Sequence, residues 1–437
     1  MNNAAIALSR YEQEYQQKLS TPHEVAATVQ SGDHLCFPIC AGEPTLFVKA
    51  LAARRHELEG VVVNQQHHLC PDYLTEDAPP HIRVNSWFTS HVSRKAVQNG
   101  WADFVPNYFH EVPKLLREYW PIDLAGTVVS PMDEHGFFTC SLSVAYTMEA
   151  IKKAKRVVVQ VNPHAPRTHG NCHIHISEVD FIIECADPIV ELAIPPITAV
   201  EEAIGGYIAE LIEDGSTLQL GIGGIPNAVC KALLKKRDLG IHTEMITDGM
   251  VDLMLSGAVN NSRKNLLPGK TLGTFALGTR RLYEFMNENP MIEMHPVDFT
   301  NNPYNIGAND KVVAINATIE VDLLGQCCSE SLGHVQWSGT GGQADFVRGA
   351  NISRGGKSFI TTAATAKNGT VSSIVPTLKP GAVVTTNKND VDYVVTEFGV
   401  AKLRGQTARQ RAVNLINIAH PDFREELMAE ARRMNRI

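Results

Sequence analysis

The stretch from Asp214 to Gly249, DGSTLQLGIGGIPNAVCKALLKKRDLGIHTEMITDG, admits few folds. Leu218, Gln219 and Leu220 form a short buried strand that runs straight into Gly221-Ile222-Gly223-Gly224. Pro226 then opens a helix, where its missing N–H costs nothing because that group would be unpaired anyway. Ala228, Val229, Ala232 and Leu233 recur at helical spacing, and the tail Lys235-Lys236-Arg237 suits a helix C-terminus. A strand, a glycine turn and a helix start together present free backbone N–H groups to a phosphate, a carboxylate or a developing oxyanion. A second short strand, Gly240 to Met245, follows and ends on the carboxylate of Glu244. A dinucleotide site also pairs a glycine turn with an acid about 20 residues on. Here Pro226 falls where the third glycine of that fingerprint belongs, which counts against it. A third reading makes the glycines a plain tight turn and Glu244 a first-turn carboxylate beside Thr243.

The rest of the chain extends the α/β pattern. Gly60 to Val63, Arg156 to Val161 and Val383 to Thr386 are continuous apolar or β-branched runs, which suit parallel strands covered by helices on both faces. The pattern also repeats. With an offset of about 183 residues, Gly32 matches Gly215 and Leu35 matches Leu218. Glu178 to Ile183 likewise echoes Asp390 to Val395. The first copy has Pro38 and Cys40 where the second has Gly221 and Gly223. The fold expected is therefore two tandem, similar, open α/β domains with mainly parallel sheets, 1–200 and 201–437, joined near Pro195-Pro196. One half does the chemistry and the other supports it. At 437 residues the chain is long enough for two cores.

LGIGGIPNAV followed by HTEMITDGMVDL closely resembles the acetyl-CoA hydrolase/transferase family of class I CoA-transferases, and within it the 4-hydroxybutyrate and butyryl-CoA:acetate enzymes. The resemblance spans nearly the whole chain and is strongest from about residue 214 to 425. It implies that Glu244 attacks an acyl-CoA thioester and that the N–H groups of Ile222 and Gly342 hold the thioester oxygen. Gly342 closes a second glycine turn, Ser338-Gly339-Thr340-Gly341-Gly342, so donors can converge from two sides. It further implies CoA contacts from Gly221, Ile222, Gly223, Gly224, Ile225, Ser338, Gly341, Gly342 and Lys367, with Asn302 preferred over Asn301 in Asn301-Asn302-Pro303. Glu397 and His135 are the implied acyl-side contacts.

The resemblance implies an acyl-CoA:carboxylate CoA-transferase whose substrates are coenzyme A, as acetyl-CoA, and a short-chain carboxylic acid, 4-hydroxybutyrate or butyrate. It also implies a homodimer or homotetramer. An acyl-CoA hydrolase on the same site and a non-catalytic CoA-binding protein are the rival readings. The chemistry requires no metal, flavin or nicotinamide. His169, His173 and His175 lack a third ligand at a diagnostic spacing, and the nine scattered cysteines read as buried, reduced thiols. A net charge of −8 speaks against nucleic acid, and no apolar run approaches the ~20 residues a membrane span needs. The first residues carry no secretory signature, so a cytoplasmic location is expected.

Overall fold

The computed structural model describes residues 9–437. They form two compact units. The first runs to Val105 and takes in Val112–Glu191 and Tyr283–Pro296; the second comprises Pro106–Glu111, Leu192–Leu282 and Val297–Ile437. Two excursions, 106–111 and 283–296, thus cross the linear boundary expected at residue 200.

The first unit is built on seven strands: β1 (His34–Cys36), β2 (Val61–Gln66), β3 (Ile82–Phe88), β4 (Ala102–Phe104), β5 (Leu124–Val129), β6 (Arg156–Val161) and β7 (Phe181–Glu184). Their spatial order is β7-β6-β5-β1-β2-β3-β4, and every pairing is parallel. All six residues of β5 are buried, as a strand covered on both faces must be. Two short helices precede the sheet, α1 (Arg10–Lys18) and α2 (Pro22–Ala27). Each starts at a capping box, Ser9 with Glu12 and Thr21 with Glu24, so the S/T-x-x-E spacing fixes where each helix begins. Helix α3 (Thr45–Ala53) follows β1 and sends Phe47, Val48 and Leu51 into a core shared with Leu35, Val63 and Val84.

The second unit repeats the plan. Its strands are β8 (Thr217–Gln219), β9 (Gly240–Ile241), β10 (Val312–Ala317), β11 (Lys357–Thr361), β12 (Tyr393–Thr396) and β13 (Gly399–Lys402). They lie in the order β9-β8-β10-β11-β12-β13, parallel except for the β12–β13 hairpin. Leu218 is flanked by Ile241 and Val313 as Leu35 is flanked by Val63 and Leu124, so the two halves share register as well as order. The turn after the first strand is also shared. Gly223 has φ 113°, and Cys40, at the matching position, takes φ 52° although it is not glycine. Helices α4 (Ala199–Leu211), α5 (Gly224–Leu233), α6 (Gln343–Ile352), α7 (Ala408–Asn417) and α8 (Pro421–Arg433) cover this sheet. Leu415, Ile416, Leu427 and Ala431 tie α7 and α8 to Val394 and Ala401 in a second core.

Two local expectations change. The run Val383 to Thr386 is not a sheet strand: Val383 and Val384 are exposed, and only Thr386 forms an isolated bridge, to Cys327. Its β-branched content matches a strand, but Pro380-Gly381 before it and Asn387 after it confine it to a loop. The helix after the glycine turn starts at Gly224, so Pro226 is its third residue, still among the four whose N–H groups have no helical acceptor. All nine cysteines are buried and unbridged. No helix among the described residues is long and apolar enough to cross a membrane.

Candidate active site

In the second unit the sheet order reverses direction at β8, the position where open α/β sheets place ligands at the carboxyl ends of their strands. The turn Gly221–Gly224 leaves β8 there. Gly223 needs its glycine for the positive φ, and a Cβ on Gly221 or Gly223 would meet no protein atom within 4 Å. Gly224 is different. A Cβ there would fall 2.0 Å from the carboxylate of Glu201, whose side chain closes the capping box of α4 with Thr198. Its glycine therefore serves helix packing rather than ligand approach. Ile222 is exposed just before the Gly223 cap and Ile225 is partly buried in the first turn of α5, whose start has no side-chain cap.

The second short strand stops at Ile241, and the chain kinks through His242, Thr243 and Glu244 before resuming as Met245–Ile246 against Phe275–Ala276. The kink is fixed from both sides. The Thr243 hydroxyl donates to Leu220 O (3.1 Å), tying it to the residue just before the glycine turn. His242 is buried with Nε2 2.6 Å from Thr300 O, and the N–H groups of Thr274 and Phe275 both donate to Glu244 O. The Glu244 side chain is consequently aimed while its backbone is locked.

Its carboxylate lies in a nest of second-unit residues. Asn301 Nδ2 donates to Glu244 Oε2 (3.0 Å), and the Gly342 backbone comes close to the same oxygen. Burial pushes Glu244 up to about 7; the nearby Asp345 charge adds to the rise, and the Asn301 amide and the Gly342 backbone oppose it. A Cβ on Gly342 would fall 1.9 Å from Oε2, so only glycine lets the loop backbone come this close. The loop is braced by Ser338 Oγ donating to Ser329 O (3.2 Å) and Thr340 Oγ1 to the buried Glu330 (3.2 Å). Gly341 (φ 54°) makes the bend that turns Gly342 towards Glu244.

Behind this nest stand residues that the sequence reading passed over. Asp345, in the first turn of α6 and fully buried, accepts from Asn301 Nδ2 (3.4 Å) and from the backbone N–H of His110 (3.1 Å). Its other oxygen lies 2.7 Å from His110 Nδ1. His110 stacks on Tyr108, and Arg348 both covers the Tyr108 ring and donates to its hydroxyl (3.1 Å). Asp345 gave only the signal of an acid in a first helical turn, and His110 gave none.

The remaining sequence candidates are more dispersed. Asn302 does not face the carboxylate; its side chain caps the helix Pro303–Gly307 by accepting from Tyr304 N (3.0 Å), and its neighbour Asn301 makes the contact. Lys367 (φ 48°) is an exposed residue in the tip of a hairpin. Glu397 accepts from Ala364 N (2.8 Å) in the turn between β12 and β13. His135 belongs to the first unit, in an exposed turn where its own N–H donates to Asp133 (2.9 Å). His175 pairs with Ser177 (2.7 Å), and among the described residues no group of three or more His, Cys, Asp or Glu is placed to hold a metal ion.

A buried carboxylate held by the Asn301 amide and closely approached by the Gly342 backbone, in a glycine-turn α/β unit, fits a nucleophile for thioester chemistry, and comparison with known proteins agrees on the class. Residues 3–194 match the model of the acetyl-CoA hydrolase/transferase N-terminal domain and residues 278–431 that of its C-terminal domain. The chain belongs to this family and is an enzyme of the CoA-transferase class. It is 80% identical, over the full length of both chains, to the succinyl-CoA:cyclohexane-1-carboxylate CoA transferase of Geobacter metallireducens. It is 47% identical to the 4-hydroxybutyrate coenzyme A transferase of Clostridium kluyveri, covering 96% of this chain and 98% of the relative. Among solved structures, RipA from Yersinia pestis superposes with a TM-score of 0.94 at 40% identity, covering 98% of this chain and 100% of RipA.

Proposed function

We propose that the protein moves CoA from succinyl-CoA to an alicyclic carboxylate by a ping-pong route through Glu244. The observation that carries the mechanism is the Glu244 carboxylate, desolvated, held by Asn301 Nδ2 and closely approached by the Gly342 backbone at the end of a glycine loop. A carboxylate is a weak nucleophile in water, and desolvation together with fixed geometry is what makes its attack on a thioester competitive. Attack on the acyl carbon forms an acyl-glutamyl anhydride and expels CoA thiolate. The thiolate then attacks the glutamyl carbonyl, forming a glutamyl-CoA thioester and releasing the first acid as its carboxylate. The acceptor carboxylate reverses both steps and leaves as the new acyl-CoA, restoring Glu244. Each step passes through a tetrahedral oxyanion. The N–H groups of Gly342 and Ile222 are its donors in this reading, and losing one such donor typically costs about 3–4 kcal/mol of barrier.

The substrate pair rests on the relative at 80% identity, named for succinyl-CoA and cyclohexane-1-carboxylate. Acetyl-CoA with 4-hydroxybutyrate or butyrate is the second reading, supported by relatives at 47% and 41% identity. Initial rates with each donor and acceptor pair separate them: the first reading expects kcat/KM for cyclohexane-1-carboxylate to exceed that for 4-hydroxybutyrate. The mechanism is tested by mixing the protein with acyl-CoA, reducing with borohydride and mapping peptides by mass. A reduced side chain at Glu244, lost in Glu244→Gln, is the expected result. Turnover in the wild type without that product would remove Glu244 as the nucleophile.

A further inference from the structure

The mechanism accounts for Glu244, Asn301 and Gly342 but leaves a second buried carboxylate unexplained. Asp345 has no exposure, and placing it one amide group from Glu244 sets two like charges close together. Burying a charge without a partner is costly, and here the partner comes from the sequence segment 106–111, which joins the second unit although it lies far from α6 in the chain. His110 meets Asp345 twice, by its backbone N–H (3.1 Å) and by Nδ1 (2.7 Å). The Asn301 NH2 group then spans the two carboxylates, while Asn301 Oδ1 is buried without a partner. The opposite amide orientation would set a carbonyl oxygen against two carboxylates, so Asp345 and Glu244 together fix which way this amide points.

We propose that His110 and Asp345 are a positioning pair for the nucleophile: Asp345 orients the Asn301 amide onto Glu244, and the His110 imidazolium balances the Asp345 charge so that Glu244 can ionise. This inference rests on Glu244 being the nucleophile. The charged and titratable groups facing the pair are few. Glu244 is reached by Asp345; Asp345 by His110; and His110 by Asp345, Glu111, Tyr108 and Arg348, the last of which also lies near Asp390. Burial disfavours the charged His110, yet the Asp345 carboxylate outweighs it and raises the imidazole above its ordinary value. Asp345 is itself raised by burial, so the pair holds on to its proton.

The two charges act on Glu244 with opposite sign, and that separates positioning by charge from mere packing. In Asp345→Asn the neighbouring negative charge is gone, so Glu244 ionises at lower pH. In His110→Asn a neutral donor remains near Nδ1 but the balancing cation is lost, so Glu244 ionises at higher pH. The measurement is the rate of borohydride-trapped glutamyl thioester formation in a single turnover with succinyl-CoA, over a pH series. The acid limb, near pH 7 in the wild type, moves down by about one unit in Asp345→Asn and up by about one unit in His110→Asn. The double variant returns toward the wild-type limb. Limbs that stay in place, or move in the same direction, overturn the proposal. Should Asp345→Asn fail to fold, His110→Asn, at a partly exposed position, decides alone by the direction of its shift. A wild type that turns over without any adduct at Glu244 overturns the underlying mechanism as well; an adduct with unmoved limbs overturns only the pair.

Discussion

At the scale of single residues, Gly342 and Glu244 are one device. A hydrogen atom in place of a side chain lets the loop backbone approach the carboxylate, and the ideal Cβ position lies 1.9 Å from Oε2 and 2.5 Å from Asn301 Nδ2. Gly342→Ala must displace a flexible glutamate rather than the backbone, so the fold survives and the nucleophile moves. A misplacement on the order of 1 Å costs about 100-fold in rate. Gly342→Ala is therefore expected to form the glutamyl thioester at least about 100 times more slowly while its thermal midpoint stays near that of the wild type. Rates within a few-fold of wild type would show that the loop tolerates a methyl group and that the close approach is not needed.

At the scale of elements, α4 and α5 lie against each other around two glycines with opposite prospects. A Cβ on Gly205 would come 2.7 Å from Ala228 Cβ and 3.0 Å from its backbone, which cannot yield without moving α5. A Cβ on Gly206, the next residue, meets nothing within 4 Å. Glycine to alanine inside a helix gains about 1 kcal/mol from propensity, whereas overpacking costs about 1–3 kcal/mol. Gly206→Ala is thus expected to raise the thermal midpoint and Gly205→Ala to lower it. Because α5 begins at the glycine turn, Gly205→Ala should also slow thioester formation while Gly206→Ala does not. Equal midpoints for the two variants would show that this helix contact is loose.

At the scale of the whole molecule, buried carboxyl groups set how stability follows pH. Glu43, after β1 in the first unit, is 1% exposed and accepts from the N–H groups of Leu69 and Cys70. Burial outweighs those donors and pushes it up to about 7. A carboxyl raised above its unfolded value near 4.5 favours the fold below pH 4.5, and that contribution is lost as pH rises through 7. The window is worth about 3 kcal/mol for this group. Exposed Asp77 and Glu213, held down to about 2 by Arg55 and by Lys311 with Lys357, work in the opposite sense and only below pH 4.5. Buried His67 and His68, pushed down to about 4 and about 3, favour the fold increasingly as pH rises to 6.5 and oppose Glu43 over that range. Urea midpoints are therefore expected to fall between pH 6.5 and pH 8, and less steeply in Glu43→Gln, which keeps one acceptor oxygen. An unchanged slope in that variant would place the pH dependence elsewhere.

Much of the architecture could be read in the sequence because its causes are local. A strand, a positive-φ glycine and a helix start are neighbours in the chain, and so are the members of each capping box. The duplicated halves were visible in the paired segments at Leu35 and Leu218 and near Ile183 and Val395, which occupy equivalent strands. The Gly339–Gly342 turn stands out by residue type and Glu244 by the family resemblance, and the fold brings them together. Tertiary structure alone decided the rest. That Asn301 rather than Asn302 touches Glu244 depends on which of two adjacent side chains the helix start at Pro303 claims as its cap. The exclusion of Val383 to Thr386 from the sheet shows only in the strand pairings, where Thr386 forms no more than an isolated bridge to Cys327. Asp345 and His110, 235 residues apart, share no pattern in the chain. Burial makes them partners, because a charge removed from water must find its complement wherever the fold supplies one.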